Sequence, residues 1–222
     1  MNDNERTLRQ QVIDTCRQLE KLGLNQGTSG NVSVRCSADA SAGFFLTPTN
    51  RSYDNMEPED IVHVTPDGRC AGRCRPSSEL PFHLEIMRER RDAVAVIHTH
   101  STHATTIACL RKEIPAIHYL VGLFGGNSIR CADYATFGTP ELSANLLRAL
   151  AGRRAALLAN HGLVTLGSDL RQALSLTQEA ETLATQYWRA LCAGEPIILS
   201  DTEMVRVVEK FRRFGYGPVE SG

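Results

Sequence analysis

Near the start of the chain, apolar positions recur at helical spacing. Leu8, Val12, Cys16 and Leu19 fall on one stripe, and Gly23 supplies a stop, so a first helix is expected to end there. Three short β-rich runs follow: NVSVR at 31–35, FFLT at 44–47 and IVHVT at 61–65, the last closed by the turn residues Pro66-Asp67-Gly68. A helix is expected from Ser77 or Ser78, with Pro81 tolerated in its first turn and Leu80, Leu84 and Met87 on one face. The runs AVAVIHT at 93–99 and LLAN at 157–160 read as buried strands. Thr139-Pro140-Glu141 combines a cap, a first-turn proline and an acidic residue, which predicts a helix to about Leu150. Leu170, Ala173, Leu174, Thr177, Ala184 and Leu191 mark a long helix from about 169 to 191. Ser200-Asp201-Thr202-Glu203 matches a capping box ahead of the stripe Val205, Val208 and Phe211. Strands and helices interleave without a repeat, a low-complexity stretch or a linker. The expectation is one α/β domain over residues 1–222.

Composition narrows the functional classes. The hydrophobic fraction is 42% and the charged fraction 22%, which suits a folded globular chain rather than a disordered one. A net charge of −1 gives no global field for nucleic acid or anionic lipid, so neither is expected as a partner, and any bound phosphate needs a local site. No apolar run approaches the roughly 20 residues that span a bilayer, and MNDNERTLRQ has no signal-peptide stretch, so a soluble, cytoplasmic protein is expected. Seven scattered cysteines suit reduced thiols. Cys70 and Cys74 form the one close pair and read as free thiols in a turn, because no second pair completes a structural zinc site.

Candidate chemistry concentrates at strand ends. His98-Thr99-His100 closes the 93–99 run, and side chains two apart on a strand share a face. His161 closes the other buried run, in Ala159-Asn160-His161-Gly162. Three convergent imidazoles would make a catalytic metal site with an open position; core or surface histidines with ordinary partners are the alternative. Glu79 follows Ser77 and Ser78 near a helix start, where a carboxylate and two hydroxyls are ordinary features but also suit phosphate binding. Gly27-Thr28-Ser29-Gly30-Asn31 lacks the lysine of a P-loop and in isolation reads as a turn. His63, His83, His103 and His118 are assigned structural roles.

Taken together, these segments resemble the class II aldolase and adducin-head family. The matching stretches include Leu22 to Arg35, Leu46-Thr47-Pro48-Thr49, Pro76-Ser77-Ser78-Glu79, Val96-Ile97-His98-Thr99-His100, Ile114 to Tyr119, Gly125 to Ile129, Tyr134 to Thr139, Asn160-His161-Gly162 and Glu209-Lys210-Phe211. The resemblance spans nearly the whole chain in order. It implies a central, mostly antiparallel sheet flanked by helices on both faces, and a homotetramer with active sites between subunits. It also implies one zinc ion per subunit, on His98, His100 and His161 with Glu79 as the fourth resting ligand. Glu79 would be the catalytic acid/base and Tyr119 would reach in from a neighbouring subunit. Thr28, Gly30, Asn31, Thr49, Asn50, Ser77 and Ser78 would cradle the phosphate, with Phe137 as an apolar wall. The tail from about 212 to 222 would close a site.

The chemistry implied is reversible cleavage of a ketose 1-phosphate, of the L-fuculose 1-phosphate type, to dihydroxyacetone phosphate and a short aldehyde such as lactaldehyde. Cleavage leaves a carbanion beside a carbonyl, which a Lewis acid stabilises as an enediolate. Lys21 and Lys112 lie outside the site segments and Lys210 is in the tail helix, which disfavours a Schiff base. Two positions depart from the family pattern. Asn50 stands where the family has glycine, and Phe214 where a tail tyrosine is expected, with Tyr216 two residues on. These leave 5-deoxyribulose 1-phosphate or 5-methylthioribulose 1-phosphate as the alternative substrate. Sugar-phosphate epimerases and dehydratases on this fold are a lesser alternative; Glu79 argues against the epimerases, which carry Asp there, and the intact histidines argue against a non-enzymatic adducin-like module.

Overall fold

The computed structural model describes residues 1–215. Nine strands form one sheet: β1 (Asn31–Arg35), β2 (Phe44–Leu46), β3 (Val62–Val64), β4 (Cys70–Ala71), β5 (Ala95–Thr99), β6 (Ile114–Pro115), β7 (Ser128–Ala132), β8 (Ala155–Leu158) and β9 (Gly162–Gly167). Their order is β4-β3-β2-β1-β5-β9-β8-β7-β6. Each neighbouring pair is antiparallel except β7 with β8, in agreement with the expected mostly antiparallel sheet. Six helices accompany it: α1 (Asp3–Lys21), α2 (Leu80–Glu89), α3 (Thr102–Cys109), α4 (Pro140–Ala149), α5 (Leu170–Ala193) and α6 (Asp201–Arg213).

The two-residue strand period sorts the core. On β5, Ala95 and Ile97 pack with Val12, Ile13 and Leu19 of α1, while Val96 faces the other way into a cluster with Phe82 and Ile86 of α2 and Leu142 and Leu146 of α4. Further along the sheet, Leu157 and Leu163 face α3 and α5, and Leu158 and Val164 face the α2/α4 side. Helices therefore cover both faces. Phe44, Phe82 and Phe124 are fully buried; each such side chain contributes about 1.5–3 kcal/mol through removal from water. The buried Arg35 guanidinium donates to the carbonyls of Met87 (2.6 Å), Ala93 (2.8 Å) and Arg90 (3.1 Å), which ties the C-terminal end of α2 to β1.

Three expectations need correction. The α2 N-cap is Glu79, which makes no side-chain capping bond, and neither serine caps the helix; the Ser77 hydroxyl instead accepts from the Glu79 N–H at 3.2 Å. The second buried strand ends at Leu158, so Ala159 to His161 form a turn and His161 does not close a strand. The strand beside β5 is β9, not β8, so the adjacent strand ends that bring the histidines together are the end of β5 and the start of β9, directly after His161. Among the described residues no helix is long and apolar enough to cross a membrane.

Candidate active site

The three central strands β1, β5 and β9 bring the distant segments together. His98 on β5 lies opposite Asn31 of β1 and Val164 of β9. His100 follows the end of β5, and His161 comes from the β8–β9 turn, where Asn160 takes a left-handed φ of 55°. Two glycines permit this approach. A Cβ on Gly30 would lie 2.7 Å from the His98 carbonyl, and one on Gly162 would lie 2.4 Å from the Thr99 carbonyl. The buried Tyr53 hydroxyl donates to the Gly30 carbonyl at 2.7 Å, fixing the loop before β1.

The imidazoles of His98, His100 and His161 stand nearly perpendicular to one another, with centroids 4.9 to 5.0 Å apart. One nitrogen from each lies within 4.8 Å of the other two. His98 Nδ1 is 3.0 Å from the Leu163 carbonyl, which can only accept, so Nδ1 carries a proton and Nε2 faces the cluster. His98 Nε2 is 3.0 Å from His100 Nε2 and 3.0 Å from Glu79 Oε2, and His161 Nε2 is 3.0 Å from Glu79 Oε1. Glu79 is buried, and its Oε1 has no hydrogen-bond donor. Inward-facing ring nitrogens beside a carboxylate oxygen without a donor are a donor set that fits a divalent cation. Burial alone would raise the Glu79 carboxyl, but His98 and then His161 pull it well below the usual carboxylate range. Burial, then the neighbouring His98 and His161, lowers His100 to about 4, which keeps it neutral and able to ligate.

A cleft of about 580 Å³ opens over this cluster. Its lining includes Thr28, Gly30, Asn31, Thr49, Asn50, Ser77, Ser78 and Phe137, together with Glu79, His100 and His161. The Pro48–Pro76 bridge explains how two separate loops meet: Thr49 N donates to the Arg75 carbonyl at 3.1 Å, and Ser77 N to the Thr47 carbonyl at 3.0 Å. Asn50 has a φ of 51°, so it adopts the left-handed geometry that the glycine it replaces would favour. His98 is wholly buried beneath the cleft. Asn31 does more than line it, since its Nδ2 donates to Glu79 Oε2 at 2.8 Å.

Tyr119 is not brought to this cleft. It begins the 3₁₀ turn Tyr119–Phe124, half exposed, stacked against His118 at 4.7 Å and Phe211 at 6.1 Å. Phe214 is exposed, and Tyr216 lies outside the described residues. Tyr134 and Asn160 line the cleft, although the motif reading gave them no role. Arg111 Nε donates to Asn160 Oδ1 at 2.9 Å, and its guanidinium lies 5.8 Å from the Tyr134 ring centre. No lysine lines the cleft among the described residues.

Residues 10–188 match the family model for the Class II Aldolase and Adducin N-terminal domain. The chain belongs to that family. This class II aldolase is 49% identical to a Rhodospirillum rubrum 5-methylthioribulose-1-phosphate/5-deoxyribulose-1-phosphate aldolase, over 94% of this chain and 92% of the relative. It is 45% identical to an Escherichia coli L-fuculose phosphate aldolase, over 94% of this chain and 95% of that one. A solved structure of an L-fuculose 1-phosphate aldolase superposes with a TM-score of 0.89 at 38% identity, covering 93% of this chain and 96% of the other. The chain is accordingly a lyase.

Proposed function

We propose that this class II aldolase reversibly cleaves a ketose 1-phosphate to dihydroxyacetone phosphate and a short aldehyde, using one zinc ion per subunit. The observation that carries the reading is the convergence of His98, His100, His161 and Glu79 at the floor of a cleft that also gathers hydroxyls. The three histidines and the resting Glu79 carboxylate would hold the ion. When bound it supplies Lewis-acid stabilisation of the charge left as the carbon–carbon bond breaks.

The remaining chemistry belongs to the protein. Thr28, Asn31, Thr49, Ser77 and Ser78, with backbone at Gly30 and Asn50, bind the substrate phosphate with neutral donors. Neutral donors of this kind are in keeping with the chain's lack of net positive charge. Glu79, ionised beside the histidines, moves the proton on the nucleophilic carbon. Phe137 excludes water on the aldehyde side. The half-exposed Tyr119, absent from its own cleft, supplies a hydroxyl to the aldehyde oxygen of a neighbouring subunit. That role accompanies a cytoplasmic homotetramer of undivided 1–222 subunits; the tail from about 212 to 222, expected to close a site, lies outside the described residues beyond 215.

The first substrate reading is L-fuculose 1-phosphate, with lactaldehyde as the aldehyde. The second is 5-deoxyribulose 1-phosphate or 5-methylthioribulose 1-phosphate. It is supported by the 49% identical relative and by Phe214, which lacks the hydroxyl expected of a tail tyrosine. The test is kcat/KM for the three ketose phosphates side by side, with products identified. A tenfold or greater preference, about 1.4 kcal/mol in transition-state binding, selects the substrate. No cleavage of any of them overturns the aldolase reading.

A further inference from the structure

His83 reads from the sequence as a structural histidine, yet its surroundings are polar and fully matched. It lies one helical turn beyond Glu79 on α2, so the two side chains share a face. Asn31 and Ser33 stand two apart on β1 and likewise share a face. The two pairs interlock. His83 Nδ1 is 2.7 Å from the Ser33 hydroxyl, His83 Nε2 is 2.5 Å from Asn31 Oδ1, and Asn31 Nδ2 is 2.8 Å from Glu79 Oε2. His83 and Ser33 are wholly inaccessible to solvent, and Phe82 stacks on the imidazole at 4.7 Å. Water cannot reach the His83–Ser33 pair.

This chain has two self-consistent proton arrangements, because serine can either donate or accept. The ionised Glu79 selects between them. A carboxylate only accepts, so the Asn31 amide must turn its NH₂ toward Glu79 and its Oδ1 toward the ring. Oδ1 only accepts, so the ring proton must sit on Nε2, and Nδ1 then accepts from the Ser33 hydroxyl.

We infer that His83 is a positioning residue for catalysis: its Nε2–H locks the Asn31 amide so that the NH₂ group faces the Glu79 carboxylate. The same lock leaves the second amide hydrogen free for the cleft, which Asn31 lines. Without the ring donor, Asn31 can rotate and present its oxygen to Glu79. The inference rests on the catalytic reading of Glu79 given above.

The test pairs kinetics with spectroscopy. His83→Leu is expected to lower kcat by about 10- to 100-fold with bound zinc unchanged, the scale seen when the partner of a catalytic ligand is lost. His83→Gln keeps an N–H close to the former Nε2 and is expected to recover most of that loss. In an Asn31→Ala background, His83→Leu should change kcat by less than about twofold, since the amide it orients is gone. In the metal-free protein, long-range proton–nitrogen correlation spectra of the histidine rings should show His83 as the Nε2–H tautomer. An Nδ1–H tautomer, equal losses for Leu and Gln, or additive losses in the Asn31→Ala background would each overturn the inference. If His83→Leu fails to fold, the Gln variant and the tautomer decide. An Nε2–H tautomer in a protein that cleaves no ketose phosphate would sink the aldolase reading and leave the hydrogen-bond lock standing.

Discussion

Gly162→Ala puts the central geometry to a direct test. The added methyl would lie 2.4 Å from the Thr99 carbonyl oxygen, 3.0 Å from His100 Cδ2 and 3.2 Å from His98 Cε1. The first distance is about 1 Å short of ordinary contact, and the obstructing atom is backbone. Strands β5 and β9 must therefore part at the end of their ladder, where Thr99 pairs with Leu163. Overpacking of this kind costs about 1–3 kcal/mol. At about 2–4 °C per kcal/mol for a domain of this size, a 2 kcal/mol loss lowers Tm by about 4–8 °C. The same displacement moves two of the three imidazoles, so zinc should bind about 10- to 100-fold more weakly. Calorimetry of the metal-free variant isolates the packing cost, and competition against a chromophoric chelator gives the zinc affinity. A metal-free Tm within about 1 °C of the parent together with a Kd within about twofold would refute the reasoning.

Other outcomes follow from the same geometry. Glu79→Gln should retain zinc and fold while lowering kcat by about 10²- to 10⁴-fold; normal turnover in ketose phosphate cleavage removes Glu79 from the mechanism. His98→Ala should lose zinc by elemental analysis, and exhaustive chelation of the parent should abolish cleavage until zinc is restored. Asp60, buried between Arg51 at 3.1 Å and Arg73 at 2.9 Å, has its carboxyl lowered to about 2. Burial opposes that shift, and Arg73, the Glu57 N–H, Cys74 and Arg51 outweigh it. Its native-state pKa lies below the unfolded value, so its stabilisation is complete above about pH 4 and fades as pH falls towards 2. Asp60→Asn should therefore cost about 1–2 kcal/mol in urea unfolding near pH 7, the solvent-screened worth of the shift, and progressively less towards pH 2.5.

The proposed metal ligands were legible because their chemistry is written locally. His98-Thr99-His100 sits on an apolar β-rich run, and the two-residue period alone puts both rings on one side. The third histidine was found by type but misplaced in structure. Asn160-His161-Gly162 looks like a strand end because the turn it makes leads straight into β9, whose run GLVTLG opens and closes on glycine. Helix α3, THATTIAC, was missed for a different reason. It is short and rich in β-branched residues, and its N-terminus is held from a distance by Glu181 of α5, which accepts from the His103 and Ala104 N–H groups at 2.8 and 2.9 Å. The phosphate loops were recognisable as segments through family resemblance, but the Pro48–Pro76 bridge that joins them is a long-range pairing with no local signature. His83 read as structural because its partners, Ser33 and Asn31, lie 50 and 52 residues away and no local pattern links them to it.

The register that places His98 opposite Asn31 and Val164 has a kinetic corollary. His98 and Val164 are 66 residues apart in the chain, so that loop closure must be complete before the imidazoles meet, and a pairing this distant forms slowly. A chain still emerging from the ribosome and shorter than β9 possesses no cage for an ion. Acquisition of the cation thus marks the end of sheet assembly, and scarcity of metal would be felt by the finished fold rather than by its precursors.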